Sequence, residues 1–171
     1  EGIPIFSTTG MLSRELYENR ITKGEKPIDF YTVGGMGCVS SIALGFIRAS
    51  KQVKQIICID GDGSLLMHMG SLFKTAQQKG FIHIVINNNS HDSVGGQPTN
   101  AFDIDFKQLG YSVGYDKCYS TNSKNIFEEI LEEVSCDNNK SHFIEVKVRR
   151  GNRTNIGRPK EMPEENKKYF I

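Results

Sequence analysis

Apolar residues along this chain fall into two alternating kinds of run. Unbroken stretches such as Ile56-Ile57-Cys58-Ile59 and Ile82-His83-Ile84-Val85-Ile86 carry β-branched residues at successive positions, the pattern of strands buried on both faces. Between them, Leu65, Leu66, Met69, Leu72, Phe73 and Ala76 recur at helical spacing and predict a helix over 65–79. The same reading predicts a short strand over 3–6, a helix over 13–20 with Leu16 and Tyr17 inward, and a strand over 28–33. It places an apolar helix over 39–49, with Ile42, Leu44 and Phe46 available for packing, and strands over 54–60 and 81–87. A glycine-rich polar loop spans 89–101. Beyond it come a short helix over 103–109, a weak strand over 112–118 and an amphipathic helix over 126–134, where Ile126, Phe127, Ile130, Leu131 and Val134 share a face. The last strand covers 142–148. From Arg149 the chain is charged and contains Pro159 and Pro163, so an extended tail is expected.

Strands alternating with helices imply right-handed βαβ units. The fold class is therefore α/β, a three-layer αβα arrangement around a mainly parallel sheet. In such sheets ligands bind beyond the carboxyl ends of the strands. The loops 7–10, 34–37, 61–64 and 87–98 all follow strands and share that edge. We expect one domain over 1–150 and a charged C-terminal tail over 151–171. The 171 residues suit a single domain. Twenty-one basic residues against 20 acidic ones supply no field for nucleic acid or an anionic membrane. No apolar run approaches the roughly 20 residues of a membrane span, and Glu1-Gly2-Ile3-Pro4 is no signal peptide. Cys38, Cys58, Cys118 and Cys136 lack CxxC spacing and sit mostly by apolar segments. They are expected to be buried free thiols of a cytoplasmic protein rather than zinc ligands.

Two loops carry the chemistry. Gly61-Asp62-Gly63-Ser64 ends one apolar run and Asn87-Asn88-Asn89 ends the next. A carboxylate from Asp62 and an amide oxygen from Asn88 are the ligand types that Mg²⁺ takes. Gly63 permits close approach of backbone to phosphate, with a helix N-terminus behind it. The bland alternative is an ordinary strand-to-helix turn and an ordinary strand exit. Gly34-Gly35-Met36-Gly37 is not a dinucleotide fingerprint, because Ser40 stands where a third glycine is required. His91, Asp92 and Ser93 are adjacent and so form no catalytic triad, whose members converge from separate elements.

The GDG of 61–63 and the Asn pair at 87–88 together resemble the thiamin diphosphate motif. The Ser7-Thr8-Thr9-Gly10 loop, the Gly34-Gly35-Met36-Gly37 turn and the stretch Ser90-His91-Asp92-Ser93-Val94-Gly95-Gly96-Gln97-Pro98-Thr99 resemble phosphonopyruvate decarboxylase, and more loosely sulfopyruvate decarboxylase, from about residue 5 to 150. This resemblance implies a thiamin-diphosphate-binding fold and a Mg²⁺-dependent decarboxylation of 3-phosphonopyruvate. It implies Asp62, Asn88 and the Ser90 carbonyl as metal ligands. The cofactor would be held by Gly34, Gly35 and Met36, by Gly61, Asp62, Gly63 and Ser64, and by Asn88 and Ser93. Met36 would be the apolar wedge that bends it. Asn89 replaces the glycine usual in the family, a mild departure because Asn tolerates left-handed backbone. His91, Ser7, Thr8, Thr9 and Arg14 are candidate substrate contacts. Their alternatives are helix capping for 7–9 and a surface ion pair for Arg14. His68, His83 and His142 are expected to be structural, with His68 nearest the phosphate helix. The cofactor-activating glutamate of the family lies in a pyrimidine-binding domain. Glu15 and Glu18 are expected to lie away from its place, so that domain should come from elsewhere, within a homo-oligomer. A chain that does not begin with Met suits the C-terminal half of something longer. A sulfopyruvate decarboxylase β-type subunit and a non-catalytic binding module are the alternatives.

Overall fold

The computed structural model describes residues 2–26 and 28–170, and its six strands form one sheet with every pairing parallel. The strands are β1 (Ile5–Ser7), β2 (Phe30–Tyr31), β3 (Ile56–Gly61), β4 (Phe81–Asn87), β5 (Lys117–Thr121) and β6 (His142–Lys147), in the order β2-β1-β3-β4-β6-β5. Between and after them run α1 (Met11–Thr22), α2 (Val39–Ala49), α3 (Asp62–Met67), α4 (Leu72–Thr75), α5 (Phe106–Val113), α6 (Lys124–Ser135) and α7 (Pro163–Phe170). An all-parallel sheet must be covered on both faces, and the side-chain alternation shows how. Ile82, Ile84 and Ile144 pack under Ile130 and Val134 of α6. On the other face Val85, Phe143 and Cys118 meet Leu72 of α4 and Phe106 of α5. Phe6, Ile56 and Cys58 meet Val39, Ala43 and Ile47 of α2 on that same face. No helix among the described residues is long and apolar enough to cross a membrane.

The helix over 39–49 and the strand over 81–87 appear with the bounds the pattern predicts. Elsewhere specific interactions move the boundaries. The single helix expected over 65–79 is broken: α3 stops at Met67, His68 leaves helical geometry (φ −138°, ψ 45°), and a 3₁₀ turn over Met69–Ser71 precedes α4. Leu65, Leu72 and Ala76 remain buried in one cluster, so the apolar periodicity survives the break that hid it. The helix expected over 103–109 starts at Phe106, where the Asp105 carboxylate caps the Gln108 N–H, and ends at Gly114 in the left-handed region. Ser112 and Val113, read as strand, thus belong to α5, and β5 begins at Lys117. The strand expected over 28–33 shrinks to two residues at the sheet edge, because Asp29 is buried against the Arg20 guanidinium (2.8 and 3.0 Å) and Val33 is 72% exposed. Cys58 and Cys118 are buried as expected, whereas Cys136 is exposed at the end of α6.

The C-terminal tail departs most from expectation. It does not stay extended: it ends in α7, whose Phe170 ring stands 5.1, 5.4 and 5.1 Å from those of Phe6, Phe30 and Phe46. The charges in the sequence concealed this apolar anchor. Phe170→Ala should lower stability by about 1–2 kcal/mol, less than the roughly 3–5 kcal/mol of a fully buried ring because this one is half-buried. Chemical denaturation would read this as a lower midpoint at unchanged slope.

Candidate functional site

Pairing of Gly61 with Ile86 across β3 and β4 brings Asp62 and the three asparagines to one edge of the sheet. Asp62 is 2% exposed. Its carboxylate accepts the Thr99 hydroxyl at 2.5 Å. Burial raises its pKa, and this outweighs the hydrogen bonds from Thr99 and from the backbone of Gly63 and Asn88, which favour the charged form. A nearby cation would relieve that conflict.

The three asparagines divide the work at the exit of β4. Asn87 turns inward, giving its amide N–H to buried Glu145 at 2.7 Å while its oxygen accepts the Asn89 N–H at 3.1 Å. Asn89 takes φ 55°, and is the sole non-glycine with positive φ among the described residues. Asn88 alone borders the cleft. Its oxygen accepts the Ser90 N–H at 3.0 Å, and its NH₂ donates to Asp92 at 2.7 Å. The following loop is closed by a Ser90–Pro98 bridge and by the His91 N–H on the Gln97 carbonyl at 2.8 Å. It lays the His91 ring against Gly63, where a Cβ would stand 2.6 Å from Nδ1. A side chain there would have to displace that ring.

Ser64, two residues after Asp62, ties the remaining loops together. Its hydroxyl is 2.8 Å from the Thr8 hydroxyl and accepts the Gly37 N–H at 3.0 Å. Gly37 has φ +87°, and a Cβ there would run into the His68 ring and approach the Ser64 carbonyl at 2.9 Å. His68, exposed at the end of α3, is thereby part of the glycine turn's packing, with Nδ1 4.0 Å from the Cys38 Sγ.

These loops enclose a cleft of about 180 Å³. Of the candidate residues, Asp62, Gly63, Asn88 and Ser90 line it together with Gly61 and Ser64. Met36, Thr8, Thr9, His91 and Ser93 line it as well. Four candidates stand outside. Ser7 is wholly buried, its hydroxyl without a hydrogen-bond partner, because β1 turns it under α1, where its carbonyl accepts the Ser13 hydroxyl. Arg14 does not line the cleft, while Glu15, one residue further round α1, borders it. Gly34 and Gly35, with φ 72° and 55°, are exposed on the outside of the turn that carries Met36. Sequence reasoning missed the supports: Thr99, Asp92 and Glu15, and the arm residues Val148, Gly151 and Asn152 that close one side. The arm is clasped by Arg153, which pairs with Glu15 at 2.9 Å and Glu18 at 2.7 Å. The Gly157 N–H, and then Arg153, hold the Glu18 carboxyl below its usual range. Only the polar run 90–99 offered a signal for any of these.

The parallel sheet thus brings a glycine-bracketed carboxylate and an asparagine to adjacent strand ends, and comparison with known proteins shows the family to which such a chain belongs. Residues 8–146 match the family of thiamine pyrophosphate enzymes, C-terminal TPP binding domain, and the chain belongs to this family. It is 32% identical over 168 residues to phosphonopyruvate decarboxylase of Streptomyces viridochromogenes, covering 97% of this chain and 41% of that protein. It is 35% identical over 129 residues to the sulfopyruvate decarboxylase subunit beta of Methanothermobacter thermautotrophicus, covering 74% and 66% respectively. A solved thiamin diphosphate-dependent enzyme of Mycobacterium smegmatis shares the fold, with TM-score 0.64 at 18% identity over 87% of this chain and 29% of that one. The chain thus spans about two fifths of the phosphonopyruvate decarboxylases it matches.

Gly37→Ala should cost about 1–3 kcal/mol, since it combines positive φ with a clash against backbone. A drop in melting temperature well beyond that of Gly45→Ala, where a Cβ meets open space, is the expected result.

Proposed function

We propose that this chain, with 1–150 as its binding unit and 151–171 as an arm, is the diphosphate-binding half of a thiamin diphosphate- and Mg²⁺-dependent decarboxylase. Its substrate would be 3-phosphonopyruvate and its products phosphonoacetaldehyde and carbon dioxide. The observation that carries this reading is the convergence of the buried Asp62 carboxylate and the Asn88 amide beside Gly63, where a Cβ would press on the His91 ring. The donors fit the groups proposed. Mg²⁺ is commonly held by one or two carboxylates plus phosphate oxygens, and Asp62, the Asn88 amide and the Ser90 carbonyl would supply the protein's share. The backbone of Gly61, Gly63 and Ser64 borders the same cleft and would meet the diphosphate, and Gly34 and Gly35 carry Met36 toward it.

When bound, thiamin diphosphate supplies the electron sink for loss of carboxylate from a 2-oxo acid. This chain's residues would bind, orient and shield. Met36 lines the same cleft as Asp62 and would fix the cofactor's bend. Thr8, Thr9, His91 and Ser93 offer donors to a phosphonate oxyanion. His91 and the arm at Val148 and Asn152 line the cleft and would limit the access of water to it. The activating glutamate would come from a pyrimidine-binding half, in the same chain or a partner, within a homo-oligomer. A second reading, sulfopyruvate decarboxylase, draws support from the 35% identity to a beta subunit of that enzyme and to the longer sulfopyruvate decarboxylase of Methanosarcina acetivorans. A fold that had lost catalysis would not need Asp62 and Asn88 together.

Release of carbon dioxide from phosphonopyruvate and from sulfopyruvate, by the complete protein with thiamin diphosphate and Mg²⁺, discriminates these readings. Preference for phosphonopyruvate is expected, and turnover of sulfopyruvate alone would transfer the protein to the second reading. Asp62→Ala should abolish Mg²⁺-dependent binding of thiamin diphosphate in a calorimetric titration, and unchanged affinity would overturn the metal assignment.

A further inference from the structure

Asp92 belongs to neither the metal set nor the cofactor set, yet its carboxylate holds three groups at once. Oδ1 accepts the Ser90 hydroxyl at 2.7 Å, and Oδ2 accepts the Asn88 NH₂ at 2.7 Å and the Gly151 N–H at 3.0 Å. An asparagine side chain has a donor end and an acceptor end of nearly equal shape, and only the oxygen can ligate a cation. A carboxylate accepts and does not donate. At 2.7 Å it admits the NH₂ end of Asn88 and repels the oxygen end. Asp92 is itself held by Ser90 and Gly151, so it cannot turn to follow a flipped amide. The Asn88 oxygen, opposite, spends one lone pair on the Ser90 N–H at 3.0 Å and keeps the other.

We propose that Asp92 is the positioning residue of the cation site: it fixes the orientation of the Asn88 amide and through it sets the affinity for Mg²⁺. This rests on the cofactor reading above and extends it to Asp92, which lines the same cleft and is assigned there to neither the metal set nor the cofactor set. It also explains why Ser90 and Asn88 are locked together two residues apart. Both are held on one carboxylate, so the amide oxygen of one and the carbonyl of the other move as a unit. Outer-shell partners of this kind typically change metal affinity by about 10–100-fold when removed.

The test is a titration of Mg²⁺ at fixed thiamin diphosphate, and of thiamin diphosphate at saturating Mg²⁺, both read by calorimetry on the complete protein. Asp92→Ala should raise the Mg²⁺ concentration for half-maximal cofactor binding about 10–100-fold. At saturating Mg²⁺ it should leave cofactor affinity within about twofold, because the groups facing the diphosphate are untouched. Asp92→Asn retains an oxygen for Asn88 and Gly151, and the Ser90 hydroxyl can reverse to accept, so it should restore most of the Mg²⁺ affinity. A purely structural role would weaken cofactor binding equally at every Mg²⁺ concentration; that result, or an unshifted Mg²⁺ requirement, overturns the proposal. If Asp92→Ala shows no cooperative melting, Asp92→Glu decides. Its longer arm displaces the carboxylate while keeping its charge, so a raised Mg²⁺ requirement is expected and an unchanged one overturns the proposal. Absence of Mg²⁺-dependent binding in the unaltered protein would instead bring down the cofactor reading itself, and this inference with it.

Discussion

The register of β3 against β4 is the constraint on which the site depends. Six residue pairs, from Ile56 with Phe81 to Gly61 with Ile86, set it. Parallel strands end on the same edge, so this register makes Asp62 and the asparagines neighbours. The core fixes it. β4 is buried on both faces, and a one-residue slip would send Ile82 and Ile84 to the face of α4 and α5 and His83 to that of α6. His83 would then lose its hydrogen bond to Tyr115, 3.1 Å away, and that chain continues from Tyr115 to Thr75 at 2.6 Å. Buried polar groups left without partners cost about 1–3 kcal/mol each, so the polar residues of the core enforce the register more sharply than apolar matching alone.

The first turn of α3 is the hub above that register. Asp62 and Ser64 are two positions apart on a helix and so face different ways. One looks to Thr99 and the exit of β4, the other to Thr8 and Gly37. Three loops spread over 91 residues of the chain, from Thr8 to Thr99, are thereby held on one short helix. The helix can be short because its job is to start and not to span. Breaking at His68 lets the imidazole pack on Gly37, which a continuous helix would have carried round with the rest of the turn.

What the sequence disclosed and what it hid follow from the same physics. Apolar periodicity is strong where an element is buried on a broad face, and α2, β4 and β6 were legible for that reason. It is weak where a single cap or glycine decides, as at Asp105 and Gly114, and where an edge strand is shortened by one ion pair, as at Asp29. Motif glycines were legible because the reason for each is steric, and Gly63 and Gly37 are sites where a Cβ would press on a histidine ring. Ser7 ends β1 with its side chain buried and Thr8 begins the loop beyond it, so no motif could tell which reaches the cleft. The supports of the site, Asp92, Thr99 and the arm, act through contacts between distant segments or through the orientation of a single side chain. Composition carries no trace of either.

The arm shows how charge can conceal structure. Its exposed ion pairs, Arg153 with Glu15 and Glu18, are screened by solvent and contribute little, and Phe170 supplies a packed aromatic anchor. Such a segment is held by many small contributions and opens at lower free energy than the sheet beneath it. The side of the cleft that it closes is therefore uneven in stiffness. Val148 follows directly on β6, and its N–H is bonded to the Asn87 carbonyl at 2.9 Å, so that part moves only with the sheet. Gly151 and Asn152 are three and four residues further on, tethered by the bond from the Gly151 N–H to Asp92. The carboxylate that orients Asn88 is therefore also the point at which the softest wall of the cleft is fastened to its most rigid corner.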